Sequence, residues 1–273
     1  MIPETDGRYG GYDTQEFISE VYDAEYSGPG IRRGDDAGFY LDCSRRAGGR
    51  TLELGCGTGR VLLPTARAGC AITGFDLSSF MLDKCRKKLA AEPKEVRQRV
   101  KLVQGNMTQF DTGEKHALVT IPFRPFQHLI TVKEQRGCLE CARRQLSPEG
   151  LLVFDVFNPR LDMLSNPKHL IETEDLPERV LADGRRVRRN SRLSAFHREL
   201  QYNDVELIYY IDYPDGRRER LVQTFPMRYF FRYELENLLE LCGFSVVELF
   251  GNFDRSPFSG ESPEMIFVAK PKS

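Results

Sequence analysis

A glycine-rich segment, Glu53-Leu54-Gly55-Cys56-Gly57-Thr58-Gly59, follows a predicted strand and opens a predicted helix. Glycines let the backbone turn sharply and let a ligand come close where any Cβ would clash. The start of the helix adds backbone N–H groups that have no intrahelical partners. Asp76 lies seventeen residues after Gly59, at the end of the next predicted strand, where its carboxylate can accept hydrogen bonds from both hydroxyls of a ribose. Together these residues predict a nucleoside site.

The acid that precedes the loop indicates which kind of nucleoside would bind. A dinucleotide-binding loop has the spacing G-x-G-x-x-G, whereas the glycines here are spaced G-x-G-x-G. The carboxylate of Glu53, beside the loop, would repel a pyrophosphate and attract a cation or an amine. We therefore expect a nucleoside that carries a positive group. A tight turn without a ligand and a dinucleotide oxidoreductase are the alternatives.

Strand and helix patterns alternate on both sides of this loop. Residues 151–157 form a near-continuous apolar run, which is typical of a parallel strand covered on both faces. The other strands are predicted at 51–54, 71–76, 100–103, 117–121, 244–250 and 265–269. The alternation predicts an α/β fold: a Rossmann-like seven-stranded, mostly parallel sheet with helices on both faces.

Residues 160–228 interrupt the alternation. They contain β-rich stretches at 188–200, 206–213 and 220–225, and Asp215-Gly216 marks a hairpin turn. An antiparallel β insert, or lid, is therefore expected between the fifth strand and the last helix. The chain is expected to divide into an N-terminal helical cover (1–47), a Rossmann-like cofactor-binding domain (48–159 and 229–273) and the insert (160–228).

The glycine loop resembles the first motif, E/D-x-G-x-G-x-G, of the class I S-adenosylmethionine-dependent methyltransferases. Further matches follow in order: Asp76 after the second strand, Gly105-Asn106-Met107 after the third, and Pro148-Glu149-Gly150 before the fifth. The resemblance implies that Asn106 lies near the adenine amino group, from which its amide oxygen could accept a hydrogen bond.

Within this family the chain is similar, over about residues 12–270, to the amino-sugar N-methyltransferases and the relatives of glycine N-methyltransferase. Val21-Tyr22-Asp23-x-x-Tyr26 resembles the N-terminal element that folds over the cofactor, and the insert lies where these enzymes carry a sheet above the active site. The implied cofactor is S-adenosyl-L-methionine, with Tyr22, Glu53, Gly55, Cys56, Gly57, Gly59, Asp76, Leu77, Asn106, Met107 and Ile121 as its binding residues. The candidates for substrate contact, with a scaffold role as the alternative, are Tyr26, Phe126, Asn158 and Arg228.

His128 is the candidate catalytic residue. Methyl transfer is an in-line displacement, so the enzyme must mainly align a nucleophile with the methyl carbon and exclude water. A general base is needed only if the nucleophile arrives protonated. His128 follows the carboxyl end of the fourth strand, where open α/β sheets place their ligands. The alternative is a histidine that packs against or caps the next helix.

The insert also concentrates positive charge. Residues 183–200 contain six arginines against two carboxylates, a local charge of +4. Such a stretch forms a solvated strand face or attracts a phosphorylated, nucleotide-linked or polyanionic substrate. We predict a methyltransferase that acts on a small-molecule acceptor, most simply an amine. The alternatives are methylation of a nucleic acid or a protein through the basic insert, and a non-catalytic module that binds S-adenosylmethionine.

Composition limits the partners. The 273 residues contain 39 Lys and Arg against 40 Asp and Glu, a net charge of −1, which excludes a globally basic nucleic-acid binder. Seven cysteines without regular spacing indicate free thiols in a reducing cytoplasm. Cys138-x-x-Cys141 has no second pair that would complete a zinc site, so no metal is expected. No apolar run has a membrane-spanning length. We expect a cytoplasmic enzyme without a membrane or nucleic-acid partner, and leave open whether it forms a homodimer.

Overall fold

The computed structural model of the protein describes residues 16–26 and 36–272. The parts of the predicted N-terminal cover at 1–15 and 27–35 lie outside the described residues. The helices, in chain order, are α1 (Glu16–Tyr26), α2 (Asp36–Ala47), α3 (Leu62–Arg67), α4 (Ser79–Ala90), α5 (Lys94–Arg97), α6 (Val132–Gln145) and α7 (Arg232–Leu241). The strands are β1 (Thr51–Leu54), β2 (Ile72–Asp76), β3 (Val100–Gln104), β4 (His116–Ile121), β5 (Leu146–Phe157), β6 (Thr173–Val180), β7 (Arg186–His197), β8 (Tyr202–Asp212), β9 (Arg218–Arg228), β10 (Phe244–Phe250) and β11 (Glu264–Pro271).

Seven of these strands form the main sheet, in the order β10-β11-β5-β4-β1-β2-β3. Strands β1 to β5 run parallel, and β11 is antiparallel to both β5 and β10. Strand β1 lies between β4 and β2, and all four of its residues are buried, because helices cover both faces of a parallel sheet. The main sheet and the separate antiparallel sheet described below confirm the predicted fold class.

Local capping fixes where the helices that follow β2 and β4 begin. Ser78 Oγ accepts a hydrogen bond from the N–H of Met81 at 3.2 Å, so only two residues separate the end of β2 from the start of α4. Thr131 and Glu134 form a reciprocal capping box at the start of α6. These caps fix where the loops after β2 and β4 end, at the same edge of the main sheet.

The insert folds as a four-stranded antiparallel sheet, the lid sheet, in the order β6-β7-β8-β9. Strands β7, β8 and β9 match the predicted β-rich stretches, and Tyr213 closes their hairpin by donating from its N–H to the carbonyl of Arg217 at 2.9 Å. Strand β6 was missed by the sequence prediction. It is an edge strand with Pro177 and several carboxylates, and such strands carry charges and proline rather than a regular apolar alternation.

The inner face of the lid sheet packs against helix α1. Tyr209 and Phe225 of the lid form one buried cluster with Ile18 and Val21 of α1 and with Met81 of α4. Phe17 stands edge-on to Tyr209, with ring centroids 5.4 Å apart. This cluster holds α1 and the lid sheet together above the carboxyl edge of the main sheet.

Candidate active site

A cavity of about 1560 Å³ lies between the carboxyl ends of the parallel strands, helix α1 and the inner face of the lid sheet. Its walls include Gly57 and Asp76 from the main sheet, Tyr26 from α1, and Leu207 and Phe225 from the lid sheet. Ligand sites of several hundred Å³ are typical of proteins. The volume is therefore sufficient for a nucleoside and a second molecule together.

The glycine loop forms one wall of this cavity. Gly57 has φ +53°, and a Cβ placed on it would meet no atom within 4 Å, so its backbone borders open space. Gly59 has φ +84°, and a Cβ there would lie 2.7 Å from the sulfur of Cys85. Glycine is therefore required at both positions for backbone conformation, and at Gly59 also for space.

Asp76 holds the loop and faces the cavity. Its Oδ2 atom accepts a hydrogen bond from the N–H of Gly57 at 2.7 Å, and Oδ1 accepts from the N–H of Ser78 at 2.9 Å. Each carboxylate oxygen can accept a further hydrogen bond. Burial raises the pKa of Asp76, and these two backbone donors oppose the rise. Two adjacent acceptors at a cavity wall fit a ribose diol.

Glu53 lies behind the loop and is 2% exposed. Its Oε2 atom has no hydrogen-bond partner within residues 16–26 and 36–272. Burial raises the pKa of Glu53 to about 8, and the positive charge of Arg60 opposes the rise. A buried acceptor without a partner is costly, and a nearby ligand cation would reduce that cost. The buried carboxyl group of Glu53 behind the loop therefore fits a nucleoside with a positive group.

The other predicted cofactor residues divide between the cavity wall and the interior. Those at the wall are Tyr22, Gly55, Leu77, Asn106 and Met107. Those that are not among the lining residues, and shape the loop from behind, are Glu53, Cys56, Gly59 and Ile121. The sequence alone does not distinguish the wall residues from the interior residues, because both groups lie at or near the ends of the same strands.

The role predicted for the Asn106 oxygen is corrected by the structure. Oδ1 of Asn106 accepts hydrogen bonds from the N–H of Thr108 at 2.9 Å and from its hydroxyl at 2.8 Å. These two bonds use both lone pairs of the amide oxygen. The oxygen therefore stabilises its own turn, as asparagine side chains commonly do, and is not available to an adenine amino group.

An aromatic cluster lies where α1 meets the loop after β4. The ring of Phe123 contacts the ring of Tyr26, with centroids 5.1 Å apart, and that of Tyr22, with centroids 6.5 Å apart. The guanidinium of Arg60 lies 4.6 Å from the centre of the Phe123 ring. Phe123 and Arg124 both have positive φ, at 67° and 72°. Two consecutive non-glycine residues in this conformation indicate a loop that its surroundings hold in place.

Two buried side chains that the sequence prediction did not single out hold that loop. Oδ1 of Asp155 accepts hydrogen bonds from the N–H of Phe123 at 2.8 Å and from the hydroxyl of Tyr40 at 2.5 Å. Tyr40 lies in α2 and Asp155 in β5, and both are almost fully buried. Asp155 interrupts an otherwise apolar strand, and that interruption is the signal that could have identified it.

His128 lies at the cavity wall, as the last residue of a short 3₁₀ turn, Pro125–His128. Its ring centroid is 5.3 Å from that of Phe225 in the lid sheet. Burial lowers the pKa of His128 to about 4. The imidazole is therefore neutral at pH 7 and a weak base, which favours a role as a hydrogen-bonding group over the predicted removal of an amine proton.

Two of the four predicted substrate residues line the cavity, Tyr26 and Asn158. Phe126 does not. It is fully buried between Phe154 and Phe230, with ring centroids 5.2 Å and 5.5 Å away. The structure therefore corrects its prediction to a core residue, because the 3₁₀ turn that presents His128 turns Phe126 to the opposite side.

Arg228 is also a scaffold residue and not a lining residue of the cavity. It is 5% exposed, and its guanidinium donates to Glu234 at 2.6 Å and to the carbonyl of Gln201 at 2.9 Å. These bonds join the end of β9 to the first turn of α7. The predicted contact with an anionic substrate is therefore replaced by an anchoring role between the lid sheet and the main domain.

Arg189 connects the lid sheet with helix α1. It donates to Glu25 at 2.7 Å, to the hydroxyl of Tyr26 at 2.8 Å and to Asp175 at 2.9 Å. Arg189 is 5% exposed and Glu25 is 6% exposed. Because both side chains are buried, removing one of them would leave the other as an uncompensated buried charge and would destabilise the fold. The contact with Tyr26 also fixes a residue of the cavity wall.

The basic stretch of the insert is neutralised by neighbouring strands. Residues 173–228 contain eleven arginines and no lysine against ten carboxylate residues. The ion pairs are Arg185 with Glu20 and Asp183, Arg186 with Glu178 and Asp212, Arg188 with Glu174, Arg189 with Glu25 and Asp175, and Arg192 with Glu206. The local charge of +4 is thus compensated in three dimensions, which leaves little attraction for a polyanion.

Metal and membrane features are absent from the part of the chain that the structure describes. No group of three or more His, Cys, Asp or Glu residues within 16–26 and 36–272 could hold a metal ion. The seven cysteines are free thiols. No helix among the same residues is long and apolar enough to cross a membrane.

Comparison with known proteins agrees with this geometry. Residues 51–150 match a methyltransferase domain family. The dTDP-3-amino-3,6-dideoxy-alpha-D-glucopyranose N,N-dimethyltransferase of Streptomyces fradiae is 26% identical over 232 residues, 84% of this chain and 84% of that protein.

Solved structures give the same result over nearly the whole chain. The CcbJ methyltransferase from Streptomyces caelestis is 26% identical, with a TM-score of 0.75 over 98% of this chain and 100% of that one. CalS10, an amino pentose methyltransferase from Micromonospora echinaspora solved with S-adenosylmethionine bound, is 27% identical, with a TM-score of 0.66 over 92% of this chain and 97% of that one. Residues 51–150 thus match a methyltransferase domain, and nearly the whole chain is similar to S-adenosylmethionine-dependent methyltransferases, among them amino-sugar N-methyltransferases.

Proposed function

We propose that this enzyme methylates the amine of a small-molecule acceptor, and that amino sugars are the acceptor class to test first. The observation that carries the proposal is the cavity of about 1560 Å³, which the lid sheet covers and which cofactor and acceptor must share. A polymer would need an open groove and unpaired positive charge, whereas the arginines of the lid pair with carboxylates. The relative from Streptomyces fradiae, which by its name methylates the amine of a nucleotide-linked sugar, supports the same class.

We further propose which part of the chain binds the cofactor, which covers the substrate and which covers the site from the N-terminal side. Residues 48–159 and 229–273 would form the cofactor-binding domain, residues 160–228 the substrate lid, and residues 1–47 the cover. Asp76 and the backbone of Gly57 would hold the ribose part of the cofactor, with Glu53 placed behind the loop. When bound, S-adenosylmethionine supplies an electrophilic methyl group on a sulfonium centre.

The protonation of the acceptor follows from burial. The cavity wall that lowers the pKa of His128 to about 4 also disfavours a charged ammonium at the same place. The acceptor would therefore react as a neutral amine whose lone pair is free. Neutral His128 would accept a hydrogen bond from an N–H of that amine, which orients the lone pair without removing a proton before transfer.

The aromatic residues would exclude water during transfer. Tyr22 and Tyr26 of α1 contact Phe123 in the loop after β4, and all three line the cavity. Tyr40 and Asp155 hold the backbone of Phe123 from behind. A fixed aromatic wall of this kind keeps the reacting atoms aligned and dry.

The test is a methylation assay with purified protein. The acceptors are dTDP-3-amino-3,6-dideoxy-alpha-D-glucopyranose and the matched sugar that carries a hydroxyl in place of the amine. We expect mass spectrometry to show one or two added methyl groups on the amino sugar and none on the hydroxyl sugar. Methylation of the hydroxyl sugar alone, or of neither sugar, would contradict the proposal. Asp76→Ala serves as the cofactor-deficient control.

A further inference from the structure

Asn203 is a polar residue on the largely apolar inner face of the lid sheet, close to the contact between Phe225 and His128. Asn203 lies in β8, two residues before Val205 and on the same face, and its strand partner in β9 is Met227. Val205 pairs in turn with Phe225, whose ring contacts His128. Asn203, Val205, Phe225 and His128 all line the cavity. Asn203 is therefore at the wall where an acceptor would lie.

The side chain of Asn203 is buried without the hydrogen bonds that it needs. It is 7% exposed, and its Oδ1 atom has no hydrogen-bond partner among residues 16–26 and 36–272. A buried polar group without a partner destabilises the folded protein, because it has lost its hydrogen bonds to water. Rotation of the amide exchanges its oxygen and nitrogen ends, so the group can offer an acceptor or a donor to a ligand.

We propose that Asn203 is an acceptor-specificity residue, whose amide hydrogen-bonds a hydroxyl adjacent to the reacting amine. The proposal rests on the proposed amine acceptor. The amine itself is a poor partner, because its N–H is already assigned to His128 and an amide N–H that donated to its lone pair would reduce its nucleophilicity. A neighbouring hydroxyl both donates and accepts, so it satisfies either orientation of the amide.

Gln223 provides a matched control within the same sheet. It lies in β9 two residues before Phe225, and it is 1% exposed. Neither amide atom of Gln223 has a hydrogen-bond partner among the described residues. Unlike Asn203, it is not among the residues that line the cavity. The two amides therefore share burial and an amide oxygen without a partner, and they differ in contact with the acceptor space.

The experiment compares three acceptors and three proteins. The acceptors are dTDP-3-amino-3,6-dideoxy-alpha-D-glucopyranose and its 4-deoxy and 2-deoxy analogues, each of which lacks one of the two hydroxyls next to the amine. The proteins are the wild type, Asn203→Leu and Gln223→Met. We expect the wild type to prefer the intact sugar over one of the two analogues by roughly tenfold in kcat/KM, the usual size of one hydrogen-bond contribution, and equal rates with all three sugars would contradict the inference. Asn203→Leu should lose this preference, and Gln223→Met should keep it.

The readouts separate a specificity role from a structural one. Both variants remove a buried polar group without a partner, so both should fold at least as stably as the wild type, measured by thermal unfolding. The affinity for S-adenosylmethionine should stay unchanged in both. A preference that persists in Asn203→Leu would overturn this inference and leave the proposed function intact. Failure of the wild type to methylate any of the three sugars would overturn both.

Discussion

The cavity has two walls that are built in different ways. The cofactor wall, formed by the ends of β1 to β4 with Gly57 and Asp76, presents backbone N–H groups and a carboxylate fixed by bonds between nearby loops. The lid wall, formed by the inner face of β6 to β9 with Arg189, Asn203 and Phe225, presents side chains aligned by strand register. The cofactor would therefore be recognised by loops at the strand ends, and the acceptor by side chains of paired strands. Substitutions should affect these two kinds of element differently.

A short spacing along the chain is enough to build the cofactor wall, whereas the lid wall depends on distant strands and on α1. Gly57 and Asp76 are brought together by two adjacent parallel strands. Arg189 of β7 instead contacts Glu25 of α1 and Asp175 of β6. Substitutions in the cofactor wall should therefore change cofactor affinity, and those in the lid wall should change stability and acceptor kinetics.

The largest effect is expected from Arg189→Met in the lid wall. The substitution leaves the buried carboxylate of Glu25 without its cation, which typically destabilises a protein by about 3–5 kcal/mol. Chemical denaturation would measure the loss in free energy of unfolding. Arg186→Met is the matched control in the same strand, because its pairs with Glu178 and Asp212 are exposed, and it should change stability by less than about 1 kcal/mol. Equal losses in both variants would refute the special role of the buried pair.

The cofactor wall is tested by Asp76→Ala. Loss of two charged hydrogen-bond acceptors for the ribose should weaken S-adenosylmethionine binding by roughly a hundredfold, about 3 kcal/mol. Isothermal titration calorimetry measures the affinity directly. Asp254→Ala is the control, since Asp254 accepts from the N–H of Ser256 at 2.8 Å in a similar turn away from the cavity. Unchanged affinity in Asp76→Ala would mean that the ribose lies elsewhere.

The pH dependence of stability tests the burial of Glu53 behind the cofactor wall. Its pKa rises from the ordinary 4.5 to about 8, so the folded protein binds this proton more tightly than the unfolded chain. The resulting stabilisation is fully present below pH 4.5 and is lost as the pH rises towards about 8. We expect the free energy of unfolding of the wild type to fall by about 1 kcal/mol per pH unit relative to Glu53→Gln in this window. Parallel pH profiles for the two proteins would contradict this.

The smallest effect is expected from His128→Asn. With a pKa of about 4, His128 is neutral at every pH between 6 and 8, so its titration cannot shape activity there. We expect kcat to fall by less than about tenfold, because one hydrogen bond to the amine is lost. The shape of the pH–kcat profile should stay the same. If kcat of the wild type instead changes with pH near 6.5, and this change is absent from His128→Asn, then His128 acts as a general base.

Much of the fold could be predicted because its signals are local. The apolar run of β5, the glycine loop after β1 and the acid at the end of β2 each follow from a few consecutive residues. The cofactor wall could be predicted from the same positions. The prediction failed at β6, whose charged edge pattern resembles a loop. It was also inexact at α3, which the glycine segment was expected to open directly but which begins at Leu62, three residues after Gly59.

The candidate substrate residues show why the acceptor side was harder to predict. Phe126 and Arg228 have residue types that suit a pocket, yet the first is buried in the core and the second is bonded to Glu234. Asn203 and Asp155 were not singled out, because a polar residue in a strand becomes informative only when its burial and partners are known. The spacing of residues along the chain indicates neither their burial nor their partners.

The sequence by itself determined the fold class and, through its resemblance to a known family, indicated the cofactor and the reaction, since the motifs that carry that resemblance are short and local. Only the tertiary structure decided the charge of the lid, the protonation state of His128 and which side chains face the acceptor. Those properties arise from contacts between residues far apart in the chain, such as Arg189 with Glu25 and His128 with Phe225. Burial and the partners that come with it set both pKa values and hydrogen-bonding capacity, and neither can be read from order along the chain.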